Sequence, residues 1–369
     1  MFALWLSGLL HLYVGWRIAP ELPAPWQGWA FVAVLAASAI LIPLAFFGRR
    51  SRDRARADRF SWAGMLALGA FSTLLPLTLL RDALLLLAWP FGIAAIESWS
   101  AIAVPLLAAV IVAIGFVNAR RTAGVREVEV PVAGLPAALH GFTIAQISDI
   151  HVGPTIKGPY LQRIVDAVNA LQADAVAVTG DLVDGRVHDL APHVAPLAAL
   201  RSRHGTFFVT GNHEYYSGAN EWIAELQSLG VQVLLNEHVV LRHEGAHLVL
   251  AGVADPSAHH FEPRHKSDPQ RALHGAPADV ALRVLLAHQP RSAEAAARAG
   301  FDVQLSGHTH GGQYWPWNLF VKLQQPYTAG LHRLEQLWIY TSRGTGYWGP
   351  PLRFGAPSEI TRLRFVGAR

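Results

Sequence analysis

An all-α apolar region followed by an α/β domain is the fold class this chain predicts, on three observations. The first is where the apolar residues fall. The chain has 369 residues, 52% hydrophobic and only 15% charged, and the apolar excess is concentrated before about residue 120. Soluble domains carry about 25% charged residues, so this composition points to the membrane. The second is histidine: 17 of the 18, all but His11, lie after residue 125. The third is a change of period after residue 126, from long apolar runs to short β-branched runs alternating with helical spacings. Together these place a transmembrane helical region over residues 1–125 and an α/β domain over 126–369.

Three stretches without a charged residue, Trp26 to Gly48, Ser61 to Leu80 and Ser98 to Asn118, are each about 20 residues long. Each is enough to cross ~30 Å of hydrocarbon at ~1.5 Å per residue. Met1 to Trp16 is shorter and carries His11. It lacks the basic start and small-residue cleavage site of a secretory signal, so it reads as a further, short span. Ala83 to Ile96 is apolar too, but it is interrupted by Pro90 and preceded by Arg81 and Asp82.

Charge decides how that segment is counted. Arginines 49, 50, 52, 54, 56 and 59 outweigh Asp53 and Asp58 by four charges. This loop and the group Arg120, Arg121 and Arg126 both belong on the cytoplasmic side. An even number of crossings must separate them. Residues 83–96 are therefore expected to extend the third helix into an outer loop, with Arg81 and Asp82 paired near the outer boundary. The result is about four spans with both termini inside.

The net charge of +4 equals the excess of the arginine loop, and the rest of the chain is balanced. No diffuse basic face able to neutralise the phosphates of a duplex is visible, which argues against a nucleic-acid partner. Cysteine is absent, excluding disulfides, thiolate ligands and a cysteine nucleophile together.

Within the second region, Phe142 to Ile147, Ala175 to Val178, Thr206 to Val209, Val284 to Leu286 and Val303 to Leu305 read as buried strands. Leu161, Ile164, Val165, Val168 and Leu171 recur at helical spacing between the first two. Ala224 to Leu229 and Ala293 to Ala299 read as helices stopped by Gly230 and Gly300.

Each of the five strands runs straight into polar residues: Asp149 and His151; Gly180 and Asp181; Gly211, Asn212, His213 and Glu214; His288; then Gly307, His308 and His310. In open α/β sheets, ligands bind in the crevice beyond the carboxyl ends of the strands, so five strand ends can converge on one point. Two aspartates, one asparagine and four histidines offer hard oxygen and imidazole nitrogen to a borderline divalent metal. Seven ligands exceed the needs of one tetrahedral ion. They suit two ions sharing a carboxylate, an arrangement that clamps the attacking and leaving oxygens of phosphoryl transfer and acidifies water.

Taken in order, Asp149-x-His151, Gly180-Asp181-x-x-Asp184, Gly211-Asn212-His213-Glu214, His288 and Gly307-His308-x-His310 resemble the calcineurin-like metallophosphoesterase superfamily. The resemblance covers about residues 140 to 366. The strings Gly307 to Gln313 and Ser342 to Pro351 are most similar to the membrane-anchored subgroup, which in bacteria joins such a domain to membrane helices. The resemblance implies a four-layer α/β/β/α sandwich. It implies Asp149, His151 and His310 on a first metal, Asp181 bridging, and Asn212, His288 and His308 on a second. His213 is implied to contact the substrate phosphate and protonate the leaving oxygen, with Asp184 and Glu214 as supporting groups.

The expected function is therefore a membrane-anchored two-metal phosphodiesterase or pyrophosphatase, multi-pass in a bacterial inner membrane, with its domain on the cytoplasmic side. Manganese, iron, zinc and magnesium all suit such sites. A lipid-linked phosphate such as UDP-diacylglucosamine is the sharpest substrate expectation, because four helices exceed what an anchor needs. The alternative is a non-catalytic, metal-dependent sensor or scaffold for a phosphorylated ligand; a proton donor such as His213 is superfluous to that role. Weaker features are the aromatic group Tyr314, Trp315 and Trp317, expected to pack with Phe320 and Leu323. The loop bearing His259, His260 and His265 is expected to be a solvated or substrate-rim loop rather than a further metal site. Ser342 to Pro351 is expected to be a tight structural turn.

Overall fold

Largely apolar sequence folds into helices in the first of two units into which the chain divides, Met1–Arg120 with Gly349–Phe354. The structure is a computed structural model and describes residues 2–47, 53–91 and 95–368. The helices are α1 (Phe2–Ile18), α2 (Pro25–Phe47), α3 (Arg54–Ala88) and α4 (Ala95–Arg120). The last three are long and apolar enough to cross a membrane. The first, with 17 residues, reaches about 26 Å at 1.5 Å per residue. Residues 83–88 continue α3 rather than forming a helix of their own. Arg49, Arg50 and Arg52 of the arginine loop lie outside the described residues, but Asp53 caps α3 by accepting the amide of Arg56, which stabilises the helix start.

Small residues let these helices approach. A Cβ on Gly64 would collide with Ala45 and the Leu41 carbonyl, so α2 and α3 touch through backbone. Charge inside the unit is paired, as apolar surroundings require. Arg81 is buried and donates to the carbonyls of Arg17 and Glu97 and to Ser100 Oγ, while Asp82 accepts from Tyr13 and Arg17. The Arg81–Asp82 ion pair itself is 3.4 Å. Within this unit the Arg353 amide donates to the Gly115 carbonyl and Asn118 donates to the Arg353 carbonyl.

The second unit, Arg121–Trp348 with Gly355–Arg369, contains β1 (Gly124–Val132), β2 (Thr143–Ile147), β3 (Ala175–Val178), β4 (Thr206–Phe208), β5 (Gln232–Val233), β6 (Glu237–His243), β7 (Ala246–Gly252), β8 (Leu282–Leu286), β9 (Val303–Ser306), β10 (Gly330–Leu334), β11 (Leu337–Thr341) and β12 (Glu359–Gly367). They form two six-stranded sheets, ordered β1-β12-β2-β3-β4-β5 and β10-β11-β9-β8-β7-β6. Strands β2 to β5 run parallel, as do β7, β8, β9 and β11.

Side chains alternate across a strand, and that period builds the layers. Leu248 and Leu250 of β7, with Leu282, Val284 and Leu286 of β8, face Ile144, Ala177, Phe207 and Leu363 of the other sheet in one core. The intervening Val249, Ala251 and Leu285 join a second core with Ala293 and Ala296 of the helix Ala293–Ala299. That helix ends at Gly300, whose φ of 86° closes it. On the first sheet's side, the helix Gly158–Ala170 buries Leu161, Ile164, Val165 and Val168. The architecture is thus an apolar helical region followed in sequence by an α/β domain, as composition and periodicity predict, with the two sheets that the family resemblance implies.

Candidate metal centre

All the expected ligands sit just past the carboxyl ends of strands: Asp149 and His151 after β2, Asp181 after β3, Asn212 after β4, His288 after β8, His308 and His310 after β9. The two sheets contribute to one site because hydrogen bonds cross between them. The His308 amide donates to the Asp149 carboxylate and Gln146 Nε2 to the Ser306 carbonyl. Gly307 allows the closest approach, since a Cβ there would collide with Ser148 Oγ and Asp149 Oδ2. The backbone is strained here in a telling way. Asp149, His151, Asp181, His308 and His310 all have positive φ, between 51° and 72°, a conformation that non-glycine residues adopt at a cost. Strain of this kind persists where the surroundings over-determine it and clusters at functional sites.

The side chains converge in two groups, Asp149 with His151 and His310, and Asp181 with His288 and His308. In the first, His151 Nε2 lies 3.1 Å from His310 Nε2, and His310 Nε2 lies 3.6 Å from Asp149 Oδ1. In the second, His288 Nε2 lies 3.1 Å from both His308 Nδ1 and Asp181 Oδ2. Asp181 Oδ2 is also 3.9 Å from His151 Nε2, between the two groups. Ring nitrogens facing one another beside a carboxylate repel unless a proton or a cation lies among them. The fit to divalent cations has a further mark: Asn212 Oδ1 is buried without a hydrogen-bond partner, a costly state unless an ion uses the oxygen.

Partners on the far side of each ring set which nitrogen faces inward. His288 Nδ1 donates to the Thr179 carbonyl at 2.8 Å. His151 Nδ1 and His213 Nδ1 both donate to Asp184 Oδ1. The trio His151, Asp184 and His213 also has a metal-like spacing, but it uses the outward nitrogens, and the carboxylate there orients two imidazoles. Glu214 is buried and accepts the amides of Asp181, Leu182 and Gly211, pinning two of the site's loops.

The charges follow from this packing. Burial alone would raise Asp181, yet His288, His213 and His151 around it hold it well below the usual carboxylate range. Burial beside Asp181 pushes Asp149 up, and raises Glu214 to about 7. Burial and neighbouring His288 lower His308 to about 3, so its ring is neutral and offers a lone pair. Burial works against charge on His213 too, but the hydrogen bond to Asp184 and the charge of Asp181 bring it up to about 9. With Nδ1 committed to Asp184, Nε2 faces the clusters, 4.0 Å from Asp181 Oδ2.

The glycine-rich segment after Ser342 braces the site. Thr345 and Gly346 donate their amides to the carbonyls of Ser148 and Asp149, and a Cβ on Gly346 would collide with the Ile150 carbonyl. Tyr314 is buried; Trp317 packs on Phe320 at 6.3 Å but remains exposed, as does Leu323. In the histidine loop, His265 bonds the Tyr215 hydroxyl and Phe261 packs on Tyr216. Two contacts were not legible in the sequence. The Gln313 amide holds both the N–H and the carbonyl of Trp348, and the rings of Tyr216 and Trp348 flank His213 at 5.3 Å and 5.6 Å. Both residues of the clamp lie in glycine-rich strings, but nothing in either string announces the pairing.

Two facing sheets whose strand ends gather buried aspartate and histidine into two adjoining clusters define a metal-dependent phosphoester hydrolase domain. Residues 142–312 match the family described as calcineurin-like phosphoesterase, and the chain belongs to that family. It is 40% identical over 327 residues to the bovine (Bos taurus) transmembrane protein with metallophosphoesterase domain, covering 82% of this chain and 73% of that one. To the zebrafish (Danio rerio) protein of the same description it is 40% identical over 266 residues, 70% of this chain and 61% of that one. Among solved structures it is similar to the Bacillus subtilis calcineurin-like phosphoesterase YfkN, at 12% identity and a TM-score of 0.40, over 56% of this chain and 82% of that one. Helices able to cross a membrane and relatives described as transmembrane make this a membrane-associated protein.

Proposed function

We propose that the chain is a membrane-anchored hydrolase of phosphodiesters or pyrophosphates that uses two divalent cations. One would be held by Asp149, His151 and His310 and the other by Asn212, His288 and His308, with Asp181 shared. The observation that carries this reading is the pair of adjoining nitrogen and carboxylate clusters that meet at Asp181. When bound, such cations supply Lewis-acid charge to the phosphoryl oxygens and a low-pKa water as nucleophile.

The chain's own residues do the rest. His213 holds its proton at Nε2, because Nδ1 is committed to Asp184, and delivers it to the departing oxygen. Asp184 fixes the Nδ1–H tautomer of His151, leaving its Nε2 lone pair inward, and stabilises the imidazolium of His213, which carries a proton on each nitrogen. Buried walls around Asp149, Asp181 and His288 exclude bulk water and strengthen every charge in the site.

The substrate we propose is a lipid-linked phosphate, UDP-diacylglucosamine being the first compound to try, met at the cytoplasmic face of a bacterial inner membrane. Support comes from the apolar helices and from the placement of arginine beside them. The test is a lipid and nucleotide substrate screen on manganese-loaded protein against Asp181→Asn. Turnover of lipid-linked pyrophosphate by the wild type alone is expected. Exclusive turnover of water-soluble nucleotides would remove the lipid, and bound metal without any turnover would favour a sensor.

A further inference from the structure

Beside His213 lies a set of aromatic side chains to which the proposed hydrolysis assigns no work. Tyr216, Phe261 and Trp348 are each more than half exposed, at 61%, 53% and 54%. Tyr216 and Trp348 flank His213, and Phe261 extends the group by packing on Tyr216 at 5.5 Å. These rings are held, not draped. Trp348 is fixed through its backbone by Gln313, which donates from Nε2 to its carbonyl at 2.9 Å and accepts its N–H at 2.8 Å. Tyr216 follows three residues after His213 on the short helix Asn212–Ser217, so its placement is tied to that of the acid.

We propose that Tyr216, Phe261 and Trp348 form a subsite for a flat, unsaturated ring on the leaving group, with Gln313 as its positioning residue. The inference rests on the hydrolase reading in one respect: the group next to His213 is the leaving group because His213 protonates the departing oxygen. Its chemistry rests on the rings. Aromatic faces gain offset-stacked and edge-to-face contacts with another π system beyond the area they cover, whereas a puckered aliphatic ring of the same size gains only the area. Rings whose backbone is already fixed lose little further freedom on binding. An aryl or nucleoside alcohol has the required flat face.

The test measures dissociation constants by calorimetry on the manganese-loaded full chain for methylphosphonate, benzylphosphonate and cyclohexylmethylphosphonate. Turnover of bis(p-nitrophenyl) phosphate is followed in parallel. Benzylphosphonate is expected to bind about tenfold tighter than methylphosphonate and about threefold tighter than the cyclohexyl analogue. Trp348→Ala should erase both preferences with methylphosphonate affinity within about twofold of wild type, and Trp348→Phe should keep most of them. Gln313→Ala should lower the benzyl preference and raise KM for the diester with little change in kcat. Equal binding of benzyl and cyclohexylmethyl compounds would overturn the flat-ring assignment. So would a Trp348→Ala variant that weakened all three ligands alike. Unchanged preference in Gln313→Ala would refute its positioning role. Absent turnover with the preferences intact would count against the hydrolase reading instead, so the two failures are distinguishable.

Discussion

Replacing Asp184 with asparagine isolates one buried carboxylate oxygen that orients two imidazoles, one in the first cluster and one on His213, the proposed proton donor. Oδ1 accepts from both His151 Nδ1 and His213 Nδ1, and the side chain is largely buried. Asparagine keeps the shape and an acceptor oxygen while removing the charge. A hydrogen bond to a charged group contributes about 1 kcal/mol more than its neutral counterpart, so two rings lose about 2 kcal/mol together, or about 30-fold in rate. That lies inside the 10–100-fold range typical for groups that orient metal ligands. A second consequence concerns pH. Asp184 raises the pKa of His213, so without the negative charge the ring surrenders its proton at lower pH and the basic limb of the rate profile moves down. The assay is hydrolysis of bis(p-nitrophenyl) phosphate across pH with manganese, alongside metal content by mass spectrometry. Activity within threefold of wild type, with an unmoved basic limb, would refute the reasoning.

Further outcomes follow from the same geometry. His213→Ala should lose about 10²- to 10⁴-fold in kcat, the usual worth of a positioned acid, while metal content stays at the wild-type level. Gly307→Ala drives a methyl group into Ser148 Oγ and Asp149 Oδ2; about 1–3 kcal/mol of stability should go, read as a lower midpoint in thermal melts, together with weaker metal binding. Chelation of both ions should lower the melting temperature of the wild type by about 10–20 °C if each sits near 100 times its dissociation constant, and should leave Asp181→Asn almost unmoved.

The strand ends were the most legible part of the site because parallel strands buried on both faces must be continuously apolar. The switch to Asp, Asn or His then marks where each chain leaves the sheet. Thr143–Ile147 and Ala175–Val178 are buried throughout, and Asp149 and Asp181 follow within a few residues. Strand β1 was less legible because it lies at a sheet edge, with most of its residues exposed, and pairs with β12 some 235 positions later. Apolar alternation over residues 124–132 is accordingly faint.

Pairings between loops left no trace in the sequence. The Gln313 clamp on Trp348 joins two strings whose glycines dominate their appearance, and Asp184 gave no sign that one oxygen serves two histidines. The positive φ at five of the expected ligands is equally silent: aspartate and histidine visit that conformation more often than most residues, but too rarely for their presence to mark it. Composition placed the change of character at 125/126, but it has no means of showing that Gly349–Phe354 clusters with the helices. Those residues are short, mixed in polarity and embedded in a motif that reads as domain.

Metal stoichiometry and turnover, measured on one preparation of the full chain and its Asp181→Asn variant, test the central claim most directly. The account predicts close to two manganese ions per wild-type chain with hydrolysis of bis(p-nitrophenyl) phosphate, and loss of both in the variant, whose shared carboxylate is gone. A variant that still hydrolysed the diester, or a wild type that did so with no bound metal, would contradict it.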